Sequence, residues 1–232
     1  MGADAFVEGF ESRTGDVPET LRSLRLSSPA SMAILDRLAR LAHLDSLSLS
    51  GAETGIRFSG GFKHLQDFTG NGIGLDDEAA AELAGLPSIA ALYINGNPFG
   101  DGFTRNLSPL LHTLELRDTQ VGDGAMEDVA ALPRLHCIDI PGTRVTPGGV
   151  ATLARRAPNL QSLALGGMQV DAASVSALKE AKRLTEIYLR RRGDDSHSCG
   201  HVVHPTAGAA VEGHSGTTTR CPTSPRYRVF AS

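Results

Sequence analysis

Along most of the chain, apolar residues recur in the spacing apolar-x-x-apolar-x-apolar. Eight copies are present: Leu21/Leu24/Leu26, Leu44/Leu47/Leu49, Leu65/Phe68/Gly70, Ile89/Leu92/Ile94, Leu111/Leu114/Leu116, Leu135/Ile138/Ile140, Leu160/Leu163/Leu165 and Leu184/Ile187/Leu189. The first residues of successive copies are 23, 21, 24, 22, 24, 25 and 24 residues apart. So regular a period predicts stacked units that each contribute one short strand and cannot bury their apolar face alone.

The second half of each unit predicts a turn followed by a helix. The helical stretches read "DDEAAAELAGLP", "GAMEDVAALP", "GGVATLARRAP" and "ASVSALKEAK". We expect Asp123 and Asp171 to accept hydrogen bonds from free N–H groups at helix starts, and Thr146 to precede a first turn that begins with Pro147. Proline then ends three of these helices before the next strand, at Pro87, Pro133 and Pro158.

The whole unit, L-x-x-L-x-L-x-x-[N/T]-x-[V/I/F]-x-[D/T]-x-G followed by an Ala-rich helix, resembles the leucine-rich repeat family over residues 21–190. The resemblance implies an α/β fold: a right-handed solenoid of about eight repeats, with parallel strands on the concave face and helices on the convex face. The family's asparagine position is occupied by Asn97 but by Thr119 and Thr143 in the next two units. The third unit departs most, and a bulge or a register shift of two residues is expected there.

The repeat divides the chain into three segments. Residues 1–20 are expected to form an N-terminal cap, residues 21–190 the repeat domain, and residues 191–232 a tail. From residue 190 onward there is no Leu, Ile or Lys, and six arginines face three acidic residues. This change in composition has two possible explanations: a disordered tail, or translation in another reading frame.

The tail carries a cluster of metal-binding residue types: His197, Cys199, His201 and His204. Structural zinc sites use ligands paired at two well-spaced positions, and the remaining thiol of the tail, Cys221, is remote. We therefore expect neither a metal site nor a cofactor.

The amino-acid composition indicates the type of core and limits the kinds of partner and cellular location that we expect. Hydrophobic residues make up 41% of the chain but aromatic residues 5%, so the core is expected to consist mostly of Leu and Ala. The net charge of −4 without a basic stripe argues against nucleic acid, and the absence of a long apolar run argues against membrane insertion. The N-terminus "MGADAFVEGF" lacks the features of a cleaved signal peptide, and three scattered cysteines favour a reducing compartment.

Side chains alternate along a strand, so residues between the apolar anchors are expected on the concave face. Most of them are small and polar. The exceptions are our candidate binding residues for a protein partner: Tyr93, Glu115, Arg117, Asp139, Tyr188 and Arg190. Tyr and Arg dominate the energetics of interfaces. The alternative interpretation is an ordinary solvated face whose charges pair with their neighbours, and the protein itself is expected to be a monomer.

Catalytic motifs give weak signals. Ser176 and Lys179 match S-x-x-K but fall within a predicted helix. Cys137 and Asp139 match the C-x-D motif of one class of bacterial leucine-rich-repeat ubiquitin ligases, with His112 and His136 nearby in sequence, yet that motif belongs to a separate helical domain. The stretch beginning at Val17 resembles the start of an F-box, without room for the whole motif. No catalytic residue is assigned.

The Ala-rich helices and the threonines in place of asparagine resemble bacterial leucine-rich repeats, including type III effectors of the GALA and Xanthomonas outer-protein kinds. This resemblance implies a non-enzymatic module that leaves the bacterium without a cleaved signal and binds a host protein. The alternatives are a ubiquitin ligase or F-box-like substrate adaptor, and a bacterial cytoplasmic scaffold.

Overall fold

The computed structural model describes residues 20–27, 29–52, 55–58, 61–166 and 170–190. Apart from Thr20, the expected cap lies outside these residues, as do the tail and its His/Cys cluster. Within the described part, eight strands form one sheet in chain order, each parallel to the next. The strands are β1 Ser23–Leu26, β2 Ser46–Leu49, β3 Asp67–Thr69, β4 Ala91–Tyr93, β5 Thr113–Glu115, β6 Cys137–Asp139, β7 Ser162–Gly166 and β8 Glu186–Arg190.

The strands stack with their apolar anchors in register. Leu47 pairs with Phe68, and Phe68 with Leu92. The third unit is therefore aligned through Leu65/Phe68/Gly70, without the expected shift of two residues. The predicted leucine-rich-repeat solenoid, with one strand per repeat in a single parallel sheet, is confirmed.

Helices connect most of the strands on the opposite side of the repeats, although none is present between β2 and β3 among the described residues. They are α1 Met32–Leu38, α2 Asp77–Ala84, α3 Asp123–Ala130, α4 Pro147–Arg156 and α5 Ala172–Leu178. The fourth repeat has a 3-10 helix instead, Asp101–Asn106, in a stretch that contains Gly100, Gly102 and Pro109. α3 packs against α4, and α4 against α5.

Two of the three predicted helix starts are confirmed. Asp171 caps α5 and forms a capping box with Ser174, and the hydrogen bond from the Ser174 backbone lowers the pKa of the Asp171 carboxyl. Thr146 caps α4, whose first residue is Pro147. The prediction for Asp123 is wrong, because the cap of α3 is Gly122 and no side chain caps this helix.

Asp123 instead belongs to a carboxylate ladder between repeats. Its Oδ1 accepts a hydrogen bond from the Thr146 N–H at 2.7 Å. The equivalent aspartates one and two repeats earlier do the same: Asp101 with Gly122 at 2.6 Å, and Asp77 with Gly100 at 2.6 Å. The N–H groups at the start of a helix have no hydrogen-bond partner within that helix. Each carboxylate thus accepts a hydrogen bond from such an N–H group at the helix start of the next repeat.

The core is aliphatic at most levels of the stack, with aromatic side chains in the second to fourth repeats. Phe58, Phe68, Phe99 and Phe103 are among its largest fully buried side chains. The rings of Phe58 and Phe68 meet edge-on with centroids 5.3 Å apart. The expected core of mostly Leu and Ala is confirmed, and phenylalanines add to it from the second to the fourth repeat.

Asn97 connects two repeats inside the core. Its Oδ1 accepts from the Leu75 N–H at 3.1 Å, and its Nδ2 donates to the Gly70 and Ile94 carbonyl oxygens at 2.8 and 2.9 Å. At the same position Thr119 donates to the Leu116 carbonyl oxygen of its own repeat at 2.7 Å. Threonine at this position thus keeps the hydrogen bond to the carbonyl oxygen of its own repeat. It does not make the hydrogen bonds to the preceding repeat that the Asn97 amide makes.

Candidate functional site

Three of the candidate binding residues lie side by side across the middle of the sheet. Tyr93 on β4 pairs in register with Glu115 on β5, which pairs with Asp139 on β6. Their side chains share the concave face, since each occupies the position between two anchors. The strands therefore place a phenol and two carboxylates on adjacent rungs.

Arg117, two residues beyond Glu115, reaches the next rung. Its Nη2 lies 3.0 Å from Oδ2 of Asp139, and the two side chains are 12% and 0% exposed. Glu115 is also buried, at 2%. A buried carboxylate is costly unless it is paired, and the guanidinium of Arg117 provides that pairing for Asp139.

Asn95 completes this network and was not among the sequence-predicted residues. Its Nδ2 donates to Oε2 of Glu115 at 2.9 Å, and its Oδ1 accepts from the Arg117 N–H at 2.7 Å. The Asn95 N–H in turn donates to Oδ1 of Asn71, the equivalent residue of the preceding repeat. The available signal was the recurrence of Asn-Gly two residues after the ends of two successive strands. We call Tyr93, Asn95, Glu115, Arg117 and Asp139 the concave cluster.

Tyr93 has a strongly shifted titration. Burial raises the pKa of its phenol to about 12, and the carboxylates of Glu115 and Asp67 add to the shift because both disfavour a phenolate. At neutral pH the Tyr93 hydroxyl is therefore protonated and can donate a hydrogen bond. Half-buried in the middle of the sheet, Tyr93 presents a partly apolar, partly polar surface.

The remaining two candidates lie apart from the concave cluster. Tyr188 is on β8, separated from Asp139 by Ala164 of β7 in the register. It is 41% exposed, and its hydroxyl donates to Oε2 of Glu186 at 3.0 Å. Arg190 is the last residue of β8, opposite Gly166.

The residues considered for catalysis are not arranged for it. Cys137 is disulfide-bonded, so its sulfur is not a free nucleophile, and Asp139 is paired with Arg117. Nδ1 of His112 lies 3.0 Å from Oγ1 of Thr113. Ser176 is an exposed residue of α5, and Lys179 follows that helix.

Among the described residues, no group of three or more His, Cys, Asp or Glu side chains is arranged to hold a metal ion. No helix in this part of the chain is long and apolar enough to cross a membrane.

Comparisons with known proteins support the fold. The chain is similar in structure to internalin C2 from Listeria monocytogenes, with a TM-score of 0.59 over 82% of this chain and 85% of that one. The two sequences are 16% identical, so the likeness concerns the fold alone. No protein-family model matches the sequence, and no curated protein is similar to it in sequence.

Proposed function

We propose that the chain is a non-enzymatic module that binds a protein partner on its concave face. The observation that carries the proposal is the concave cluster, in which hydrogen bonds and an ion pair fix Arg117 beside the half-buried Tyr93 of the adjacent rung. Side chains held in one conformation lose little entropy on binding, and Tyr and Arg are the types most often found at energetic centres of interfaces. Solenoids offer extended concave surfaces of this kind to their ligands.

The charged residues on the concave face indicate what charge a protein partner should present to it. Glu115 and Asp139 are buried, so the exposed carboxylate on strands β3–β6 is that of Asp67. A partner that presents a basic side chain or a hydrogen-bond donor near Asp67 complements this surface. Tyr93 supplies the larger contact surface and Arg117, which is 12% exposed, the smaller one, while the buried Asp139 holds the guanidinium in place.

We place this module in a bacterial effector that acts on a host protein and is exported without a cleaved signal peptide. The support is the resemblance of the Ala-rich repeats to those of bacterial type III effectors. A bacterial cytoplasmic scaffold is the competing setting, and the partner's origin distinguishes the two. A ubiquitin ligase is not proposed, because Cys137 and Asp139 are both committed to other bonds.

Affinity capture tests the proposal. The full chain is immobilised and exposed in parallel to a plant cell extract and a bacterial extract, alongside Tyr93→Ala and Arg117→Lys variants. Arg155→Ala, on the convex helix α4, is the matched control. We expect both concave variants to reduce recovery of a retained protein by about 10-fold or more, as truncating an interface centre does, and the control to leave it unchanged. Equal recovery by all variants would overturn the concave site.

A further inference from the structure

Among the described residues the sheet ends at β8, which pairs with β7 on one side. In earlier repeats the residues equivalent to Leu189 are Ile94, Leu116 and Ile140. Each donates its N–H to a carbonyl oxygen of the next strand, with N···O distances of 2.8–3.1 Å. Every second residue of a strand points its N–H and C=O to the same side. The backbone groups of Ile187 and Leu189 are therefore directed away from β7.

The side chains of this last repeat are also more exposed than their equivalents. Leu189 is 52% exposed, whereas Leu116, Ile140 and Leu165 at the same position are fully buried by the following repeat. Val175 on α5 is 38% exposed. The other end of the sheet differs, because Leu26 on β1 is 3% exposed. The apolar surface is thus concentrated at the β8 end.

The sequence of β8 is complementary to itself. When Glu-Ile-Tyr-Leu-Arg is read against a second copy in the antiparallel direction, centred on Tyr188, Glu186 lies opposite Arg190 of the other copy. Ile187 then lies opposite Leu189, and these are the two residues whose backbone groups face the edge. The antiparallel register centred on Tyr188 therefore pairs the backbone hydrogen-bonding groups, the apolar side chains and the opposite charges at the same time.

We propose that two copies of this chain associate through β8, with the strands antiparallel about a two-fold axis, so that the two sheets become continuous. A two-fold contact closes on itself, whereas pairing β8 with β1 of another copy would generate an open filament. A strand of five residues buries less than a standard protein interface, so we expect a weak dimer that depends on concentration. This assembly differs from the monomer expected from the sequence.

Sedimentation velocity of the full chain over a concentration series tests the proposal, without reductant so that the disulfide of Cys137 stays intact. Denaturing electrophoresis without reductant shows that no disulfide links two copies. The wild-type protein should shift from monomer to dimer as concentration rises. Glu186→Arg and Arg190→Glu each create two like-charge contacts across the axis and should each raise the dissociation constant by about 10-fold or more. The double variant Glu186→Arg/Arg190→Glu restores opposite charges and should return it to within about 3-fold of the wild type.

Glu180→Arg, which makes the same charge change on an exposed residue outside β8, is the matched control and should not alter the association. Circular dichroism establishes that each variant is folded. A wild-type protein that stays monomeric at every concentration overturns the proposal. So does a double variant that fails to recover the affinity of the wild type.

Discussion

In the Arg117–Asp139 ion pair the carboxylate lies beneath the concave face, and the guanidinium is 12% exposed at that face. Alternation along β5 and β6 was sufficient to predict that Glu115, Arg117 and Asp139 share one side of the sheet. Their burial was not predictable, because it depends on how closely neighbouring rungs approach each other. The contribution of Asn95 was missed for the same reason: its partners lie 20 and 22 residues away in sequence.

The pair has a measurable consequence for stability. Arg117→Ala should lower the free energy of unfolding by about 3–5 kcal/mol, since it leaves the fully buried Asp139 carboxylate without its guanidinium partner. Replacing both residues, as Arg117→Met/Asp139→Leu, removes the charges together and should cost clearly less than the single change. Urea denaturation of both variants checks this.

Exposed Arg25 on β1 provides the control, because Arg25→Ala should change the free energy of unfolding by no more than about 0.5 kcal/mol. If Arg117→Ala were as mild as Arg25→Ala, the ion pair would contribute nothing to the fold.

At the scale of elements, helix starts were read correctly where the sequence offered a local cap. Thr146 and Asp171 each bond to amides within their own first turn, and such bonds follow from sequence order alone. Asp77, Asp101 and Asp123 bond instead to the next repeat, 21 to 23 residues on. A local rule cannot distinguish these two uses of an aspartate near a helix start.

The carboxylate ladder should stabilise the stacking of helices. Asp101→Ala leaves the Gly122 amide without its acceptor and should lower the free energy of unfolding by about 1 kcal/mol. Asp101→Asn keeps an acceptor oxygen and should cost less. Thermal unfolding compares both with Asp128→Ala, an exposed aspartate of α3 that should have little effect. Indistinguishable melting temperatures for Asp101→Ala and Asp128→Ala would contradict the ladder.

Gly124 lies next to the carboxylate ladder. A Cβ atom at Gly124 would lie 2.5 Å from Oδ2 of Asp101, closer than such atoms approach. Glycine at position 124 therefore leaves room for the carboxylate of the preceding repeat.

For the whole molecule, the repeat period determined the architecture. Eight copies of one pattern predicted eight strands, and the register that the pattern implies is the one observed, including the irregular third copy. The period succeeds because each repeat contacts its neighbours in the same way. It does not identify a ligand, since repeats with identical anchors can carry any residues between them.

The central claim is that a partner protein docks on the concave strands. Hydrogen exchange measured by mass spectrometry, on the full chain with and without the captured partner, tests it most directly. The account predicts slower exchange of amides in and just after β4, β5 and β6, at 91–95, 113–117 and 137–139, with helices α3 and α4 unchanged. Protection confined to those helices, or no change along these strands, would contradict it.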